Sequence, residues 1–258
     1  MLQASKEYLK KAVPILDVPL ANTTVDKLPE SWLKIFYKEY PRFKSLQLQK
    51  NSGKTSLDLL LLKRESARKF SKKPISFKAI SDIIYWSCAQ KPKLKNTSFP
   101  RRMYPSGGGR YPIEAYLLAF NIEGLNKGIY HYNVKENRLE LLLEEDTSKE
   151  AHKIMFKQLE NPAGVIVLSP AMSRVEVKYG TIALMITLLE TGHIGQNISL
   201  KAAEQGIGSC AITGFERNAM ACLLDLDAEE EIPVYCIALG ITHKGSKQSF
   251  NTSKKEYV

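Results

Sequence analysis

The chain has 258 residues, 44% of them hydrophobic, and carries 37 Lys and Arg against 27 Asp and Glu, a net charge of +10; that length and apolar content can bury a full core in one domain with appendages. No apolar run approaches the ~20 residues a bilayer-crossing helix needs, and the first twenty residues lack the hydrophobic stretch of a signal peptide. Four scattered cysteines, Cys88, Cys210, Cys222 and Cys236, form no CxxC pair and have no matching histidine spacing, which speaks against a structural zinc or a disulfide framework; buried free thiols, no metal site and a cytoplasmic location are the expectation.

In chain order, residues 1–56 read as a leader with one coherent piece, Leu28 to Pro41, where Trp32, Leu33, Phe36 and Tyr40 fall at helical intervals. Residues 49–56 read as a linker. Although Gly53-Lys54-Thr55 resembles the end of a phosphate-binding loop, the glycine required five positions earlier is Leu48, which rejects an ATPase. Leu57 to Lys63 is apolar and helix-compatible, and Ser76 can cap a helix from Phe77 to about Cys88 with Ile80, Ile83 and Ile84 on one face. Strand signals follow at Ala115–Phe120, Gly128–Asn133 and Arg138–Leu143, the last two as a hairpin around Val134–Asn137. A helix over 147–159, a strand over Gly164–Ser169 and a strand over Pro233–Gly240 come next. Between these two strands, Ile182, Met185, Ile186, Leu189, Ile194, Ile198 and Ala202 mark one stripe of a helix from about Tyr179 to Gln205, stopped by Gly206. About 26 residues would span about 39 Å, a length that crosses a core or builds a dimer interface. A short helix, Glu216 to Leu224, follows. The tail, His243 to Val258, is polar and lysine-rich and is expected to be exposed or wrapped on a partner subunit.

The charge is concentrated: residues 63–110 hold 13 Lys or Arg against 2 acids. No aromatic-basic motif of a nucleic-acid module accompanies it; a phosphate-bearing cofactor and an acidic partner or substrate account for such a field better. Within that region Arg64, Ser66 and Arg68 stand at alternate positions, so an extended segment would present two guanidinium forks and a hydroxyl to one side, a set suited to a phosphate. Further on, Pro105-Ser106-Gly107-Gly108-Gly109 offers backbone N–H groups with no side chains over them, able to approach a flat ligand. At the start of the long helix, Lys178 and Tyr179 offer two groups with ordinary pKa values near ~10 that could act as proton acceptors in a site that lowers them. His193, three residues after Glu190, could pair with it on the helix surface; His131 reads as a packing residue.

The RxSxR arm and the PSGGG loop resemble the FMN-binding signatures of the nitroreductase superfamily. Together with Lys178-Tyr179-Gly180, Glu190-Thr-Gly-His193-Ile-Gly-Gln196-Asn197, Gly206-Ile-Gly208-Ser209 and Pro233 to Gly240, they resemble its SagB-type branch over about residues 57 to 240. That branch comprises FMN-dependent dehydrogenases that oxidise thiazoline or oxazoline rings of ribosomally made peptides to thiazoles or oxazoles. Its loop commonly reads Pro-Ser-Ala-Gly-Ala, so PSGGG keeps the length and adds freedom. The resemblance implies an α+β nitroreductase-like fold with a central, mostly antiparallel sheet flanked by helices and a long central helix at a dimer interface. It implies Arg64, Ser66 and Arg68 at the FMN phosphate and ribityl chain and Pro105, Ser106, Gly107 and Gly108 at the ring. Gly208, Ser209, Ile212 and Thr213 would stand at the ring's other edge, with Gln196 nearby. Lys178 and Tyr179 become the catalytic pair.

The expected organisation is an N-terminal extension over 1–56, an FMN-binding domain over 57–242 and a polar tail over 243–258. The expected state is a homodimer with FMN at the subunit interface, a modified peptide as substrate and a cyclase as partner protein, with no nucleic acid and no membrane. Two other functions fit the same residues: an NAD(P)H-dependent nitroreductase or quinone reductase, and a non-catalytic flavoprotein scaffold in a peptide-modifying complex.

Overall fold

The computed structural model describes residues 37–49, 55–92, 100–227 and 230–243. The expected helix over Leu28–Pro41 lies mostly outside these residues, as do most of the tail and the middle of the basic loop before the glycines. The elements in order are α1 (Ser56–Lys63), β1 (Ile75–Ser76), α2 (Phe77–Cys88), a 3₁₀ turn at Gly107–Gly109, β2 (Ile113–Ala119), β3 (Ile122–Glu123), β4 (Gly128–Asn133), β5 (Arg138–Leu143), α3 (Ser148–Ile154), β6 (Gly164–Pro170), α4 (Ser173–Tyr179), a 3₁₀ turn at Gly180–Ile182, α5 (Ala183–Glu204), β7 (Gly208–Ile212), α6 (Arg217–Leu223) and β8 (Tyr235–Gly240).

Six strands form one antiparallel sheet in the order β5-β4-β2-β6-β8-β7, and β1 pairs with β3 in a small parallel ribbon. The central strands β2 and β6 are buried along their whole length, which is why they read as unbroken apolar runs. Their side chains alternate between two cores. Ala115, Leu117, Ile166, Leu168, Ile237 and Leu239 pack with Ile80, Ile83 and Ile84 of α2 and with Ile194, Ile198 and Ala202 of α5. Tyr116, Leu118, Val165, Val167 and Ala238 face the opposite layer with Met155, Phe215 and Met220. A sheet with helices on both faces results, and α5 lies across one of them.

Local signals explain most boundaries. Thr55 and Asp58 form a reciprocal capping box at α1 (Thr55 N to Asp58 Oδ2 2.8 Å), and the Ser76 hydroxyl accepts from Ala79 N at the start of α2. The helix expected over 147–159 stops at Ile154 because Phe156 and Lys157 adopt positive φ. The long helix is shorter than expected: Gly180, at φ 52°, breaks it, so α4 ends at Tyr179 and α5 has 22 residues, about 33 Å. Strand β7 has no counterpart in the sequence reading. Its small residues carry little strand signal, and it exists through its pairing with β8.

Candidate functional site

The arm begins where α1 ends. Arg64 caps that helix in an extended conformation, and the following residues run alongside the start of β7: Ser66 bridges Ser209 in parallel, and Ala67 N donates to Ser209 O at 2.8 Å. A little further, Phe70 N donates to Glu160 O at 2.9 Å and Ser71 N to Ile241 O at 2.7 Å, with the Phe70 ring fully buried. These isolated bridges hold the arm against β7 and the segments around Glu160 and Thr242, outside the six-stranded sheet. A cavity of about 170 Å³ opens there, with Arg64, Ser66, Gln196, Ser199 and Ser209 among its walls. Arg68 is exposed and does not line it, so the alternation brings two of the three expected side chains to this space. Gly208 sits against the arm, where an added Cβ would lie 3.0 Å from Ala67 Cβ. Ile212 turns its side chain into the core. Thr213 is exposed, and its carbonyl accepts from Arg217 Nη2.

The glycine loop lies elsewhere on the same helix. Gly108 and Gly109 take φ of 60° and 63°, a region closed to most side chains. The Ser106 hydroxyl accepts from Tyr111 N at 2.9 Å, closing the turn. An added Cβ on Gly108 would stand 2.7 Å from Tyr179 Oη and 2.8 Å from Lys178 Nζ. Pro105 is exposed at the entry to the turn. The Lys178–Tyr179 pair and the PSGGG loop, 69 or more positions apart in the chain, therefore form one cluster. Lys178 is exposed with its ammonium 5.4 Å from the Tyr179 ring centre, while Tyr179 packs on Met172, Val175 and Ala183.

Beneath the loop lies a group the sequence reading assigned differently. Glu190 is 2% exposed, and neither carboxylate oxygen has a hydrogen-bond partner of full geometry. Burial pushes its pKa up to about 7, against the pull of the Ser106 hydroxyl, the Arg102 charge and the Gly107 amide nearby. His193 is exposed and makes no bond with Glu190; the one points to solvent while the other faces the loop. Arg102 itself donates to Tyr104 Oη (2.9 Å) and Ile113 O (3.1 Å). An acid inside the apolar stripe of α5 is the signal that could have marked Glu190 from sequence.

His131 is more than packing. Its ring nitrogens meet Glu114 Oε2 at 2.9 Å and Glu140 Oε2 at 3.3 Å, and Glu114 also accepts from Arg174 of α4. The Glu114 bond is the main cause that holds the imidazole pKa above its ordinary value. Burial works to raise the Glu114 pKa, but the hydrogen bonds from His131 and Arg174 outweigh it and the carboxyl titrates low.

The residues of the two half-sites suit a flavin phosphate and ring: a guanidinium, hydroxyls and an amide around the arm cavity, and side-chain-free backbone beside a lysine and a tyrosine at the loop. Within one chain they meet successive stretches of α5, one against Gly192, Gln196 and Ser199 and the other against Ile186 and Glu190. Along the helix, Ile186 and Gln196 are ten residues apart, about 15 Å, whereas Glu190 and Gly192 are two apart, about 3 Å.

Comparison with known proteins gives the family and the fold. Protein MJ1384 of Methanocaldococcus jannaschii, named as a nitroreductase, is 26% identical over 186 residues, covering 71% of this chain and 90% of its own. The Microcin B17-processing protein McbC of Escherichia coli is 29% identical over 141 residues, 52% of each chain, so the match spans about half of that relative. Among solved structures, the E. coli Microcin synthetase McbBCD complex with truncated pro-MccB17 bound contains a chain that superposes with a TM-score of 0.75 at 21% identity, over 93% of this chain and 94% of that one. The model of the Nitroreductase family matches residues 61–241, and the chain belongs to that family.

Proposed function

We propose that the protein is an FMN-dependent dehydrogenase that converts azoline rings of a ribosomally made peptide to azoles, with residues 57–242 as the catalytic unit. The observation that carries this is the placement of Lys178 and Tyr179 against Gly108: a pair of potential bases meets the loop that family resemblance assigns to the flavin ring. The similarity to McbC, a microcin-processing protein, and the fold shared with a chain of a complex that holds a pro-peptide point to peptide substrates.

In this reading Arg64, Ser66 and Ser209 hold the phosphate and ribityl chain, with Gln196 beside them, and Arg68 adds positive charge along the arm. Ser106, Gly107 and Gly108 face the ring. When bound, FMN supplies a two-electron acceptor. Lys178 or Tyr179 removes the proton from the azoline ring, and the loop keeps that base within reach of the ring carbon. Aromaticity of the product favours the step.

The functional unit is a homodimer with FMN at the interface. Met185, Leu188 and Leu189, at 59%, 47% and 62% exposure, form an apolar face on α5, and Leu57, Leu59, Leu61 and Leu62 of the adjoining α1 are also half or more exposed. Clustered exposed apolar side chains of this kind mark interaction surfaces. A second copy laid against it would cover both helices and bring the arm of one protomer toward the glycine loop of the other. A cyclase would be a further partner.

The test is direct. FMN-loaded protein given a peptide bearing azolines removes two hydrogens per ring, read by mass spectrometry, and Lys178→Ala and Tyr179→Phe each suppress this. An Arg64→Ala variant binds FMN more weakly, because one charge-assisted contact is worth about 1.5–3 kcal/mol. Rapid bleaching of the flavin by NADH with no ring oxidation would favour the nitroreductase reading suggested by MJ1384. Full ring oxidation in the biosynthetic complex with both Lys178 and Tyr179 replaced would favour a scaffold.

A further inference from the structure

Helix α4, which ends in Lys178 and Tyr179, has only seven residues and is followed at once by Gly180 at φ 52°. A helix this short does not hold its position by its own hydrogen bonds. Something outside it must set where its last residues stand, and Val175 is its one fully buried side chain.

The start of α4 is tied to the 230–231 segment, through Met172 N donating to Glu230 O at 3.3 Å and a bridge from Ala171 to Glu231, and further fixings come from the segment that leaves the glycine turn. Arg110 Nε donates to Arg174 O at 2.8 Å, and Ala171 N, just before α4, donates to Pro112 O at 2.9 Å. Glu114 then accepts from the guanidinium of the same Arg174. Contacts from residues 110, 112 and 114 therefore bind α4 and the residue pair before it to the segment that runs from the glycine turn into β2. Glu114 is buried, at 9% exposure. Its second oxygen is held by His131 of β4 at 2.9 Å. His131 is in turn held by Glu140 of β5, which is bonded to Arg138 and Asn133. Tyr116 of β2 donates to Glu231 at 2.9 Å and stacks obliquely on the His131 ring. Both oxygens of Glu114 are thereby committed, one to the sheet and one to α4.

We propose that Glu114 is a positioning residue: it clamps Arg174 so that the Lys178–Tyr179 pair keeps its station beside the glycine turn, while His131 fixes the orientation of the clamp. The proposal rests on the assignment of Lys178 and Tyr179 given above. Charge on the clamp depends on the groups that face Glu114, namely Arg174, His131 and, at one remove, Glu140, Arg138 and Glu231. His131 is protonated below its raised pKa and neutral above it, so the clamp is fully set on the acid side and loosens as pH rises beyond the ordinary histidine value of about 6.5.

The experiment uses full-length, FMN-loaded protein and the variants Glu114→Gln, Arg174→Met, Arg174→Lys and His131→Gln. Arg174 is 44% exposed along its side chain, so it can turn to water when Glu114 is neutralised and the fold survives. For Glu114→Gln and Arg174→Met the expected result is a kcat for azoline oxidation lowered about tenfold or more with KM for the peptide unchanged. Flavin content and melting temperature should stay close to the parent, and amide exchange should rise over 173–180 alone. The double variant should lose no more than either single one, Arg174→Lys should recover part of the loss, and His131→Gln should flatten the alkaline fall in kcat. Glu114→Gln with parental kcat and parental exchange over 173–180, or a kcat loss that only follows a lower melting temperature, would overturn the proposal. If Lys178→Ala and Tyr179→Phe themselves leave turnover intact, the catalytic assignment fails, and the exchange over 173–180 alone then decides the clamp.

Discussion

Replacing Gly108 with alanine tests the loop and the pair together. The new Cβ would stand 2.7 Å from Tyr179 Oη and 2.8 Å from Lys178 Nζ, whereas ordinary contacts begin near about 3.5 Å. Both groups are the free ends of flexible side chains, so they yield rather than the backbone, and each retreats by about 0.8 Å. Backbone φ of 60° adds strain of about 1–2 kcal/mol for a residue with a Cβ, which lowers the melting temperature by roughly 2–8 °C for a domain of this size. The larger effect falls on chemistry, because misplacing a reacting group by about 1 Å can cost about 100-fold. Azoline oxidation by Gly108→Ala should thus fall about 10- to 100-fold. A Gly109→Ala control meets nothing within 4 Å at nearly the same φ, so it carries the strain without the collision. Equal activities in the two variants would refute the reasoning.

Glu190 makes stability depend on pH. Raising its pKa from 4.5 to about 7 means the folded state favours the protonated acid, so its contribution is intact below 4.5 and is lost as pH rises through 7, by at most about 3 kcal/mol. Thermal melts between pH 5 and 8 should fall more steeply for the parent than for Glu190→Gln; parallel slopes would remove Glu190 as the cause. On the apolar face of α5, Leu189→Glu places a charge on a residue 62% exposed, which costs the single chain little and a covering partner much. Sedimentation should then show the variant as one copy with reduced FMN binding.

The fold class and most elements were readable because burial on both faces writes itself into sequence as unbroken apolar runs, as in β2 and β6, and a capping serine as at α2 marks a start. The break at Gly180 was not readable, since a glycine within a helical pattern permits a kink without requiring one. Strand β7 was not readable either, because its small residues gain their conformation from a neighbour.

The amino-acid sequence by itself determined the motif residues, the basic concentration around them and the family they resemble, since these depend on residue type and spacing alone. Tertiary structure decided which of those motifs meet. It set Lys178 and Tyr179 beside Gly108, placed the arm cavity on the following stretch of α5, left Arg68 out of that cavity, and gave Glu114, a single acid in an apolar strand, its bonds to His131 and Arg174. Contacts between residues tens of positions apart follow from how the sheet orders its strands and how α4 and α5 cross it, and no local pattern in the chain encodes that arrangement.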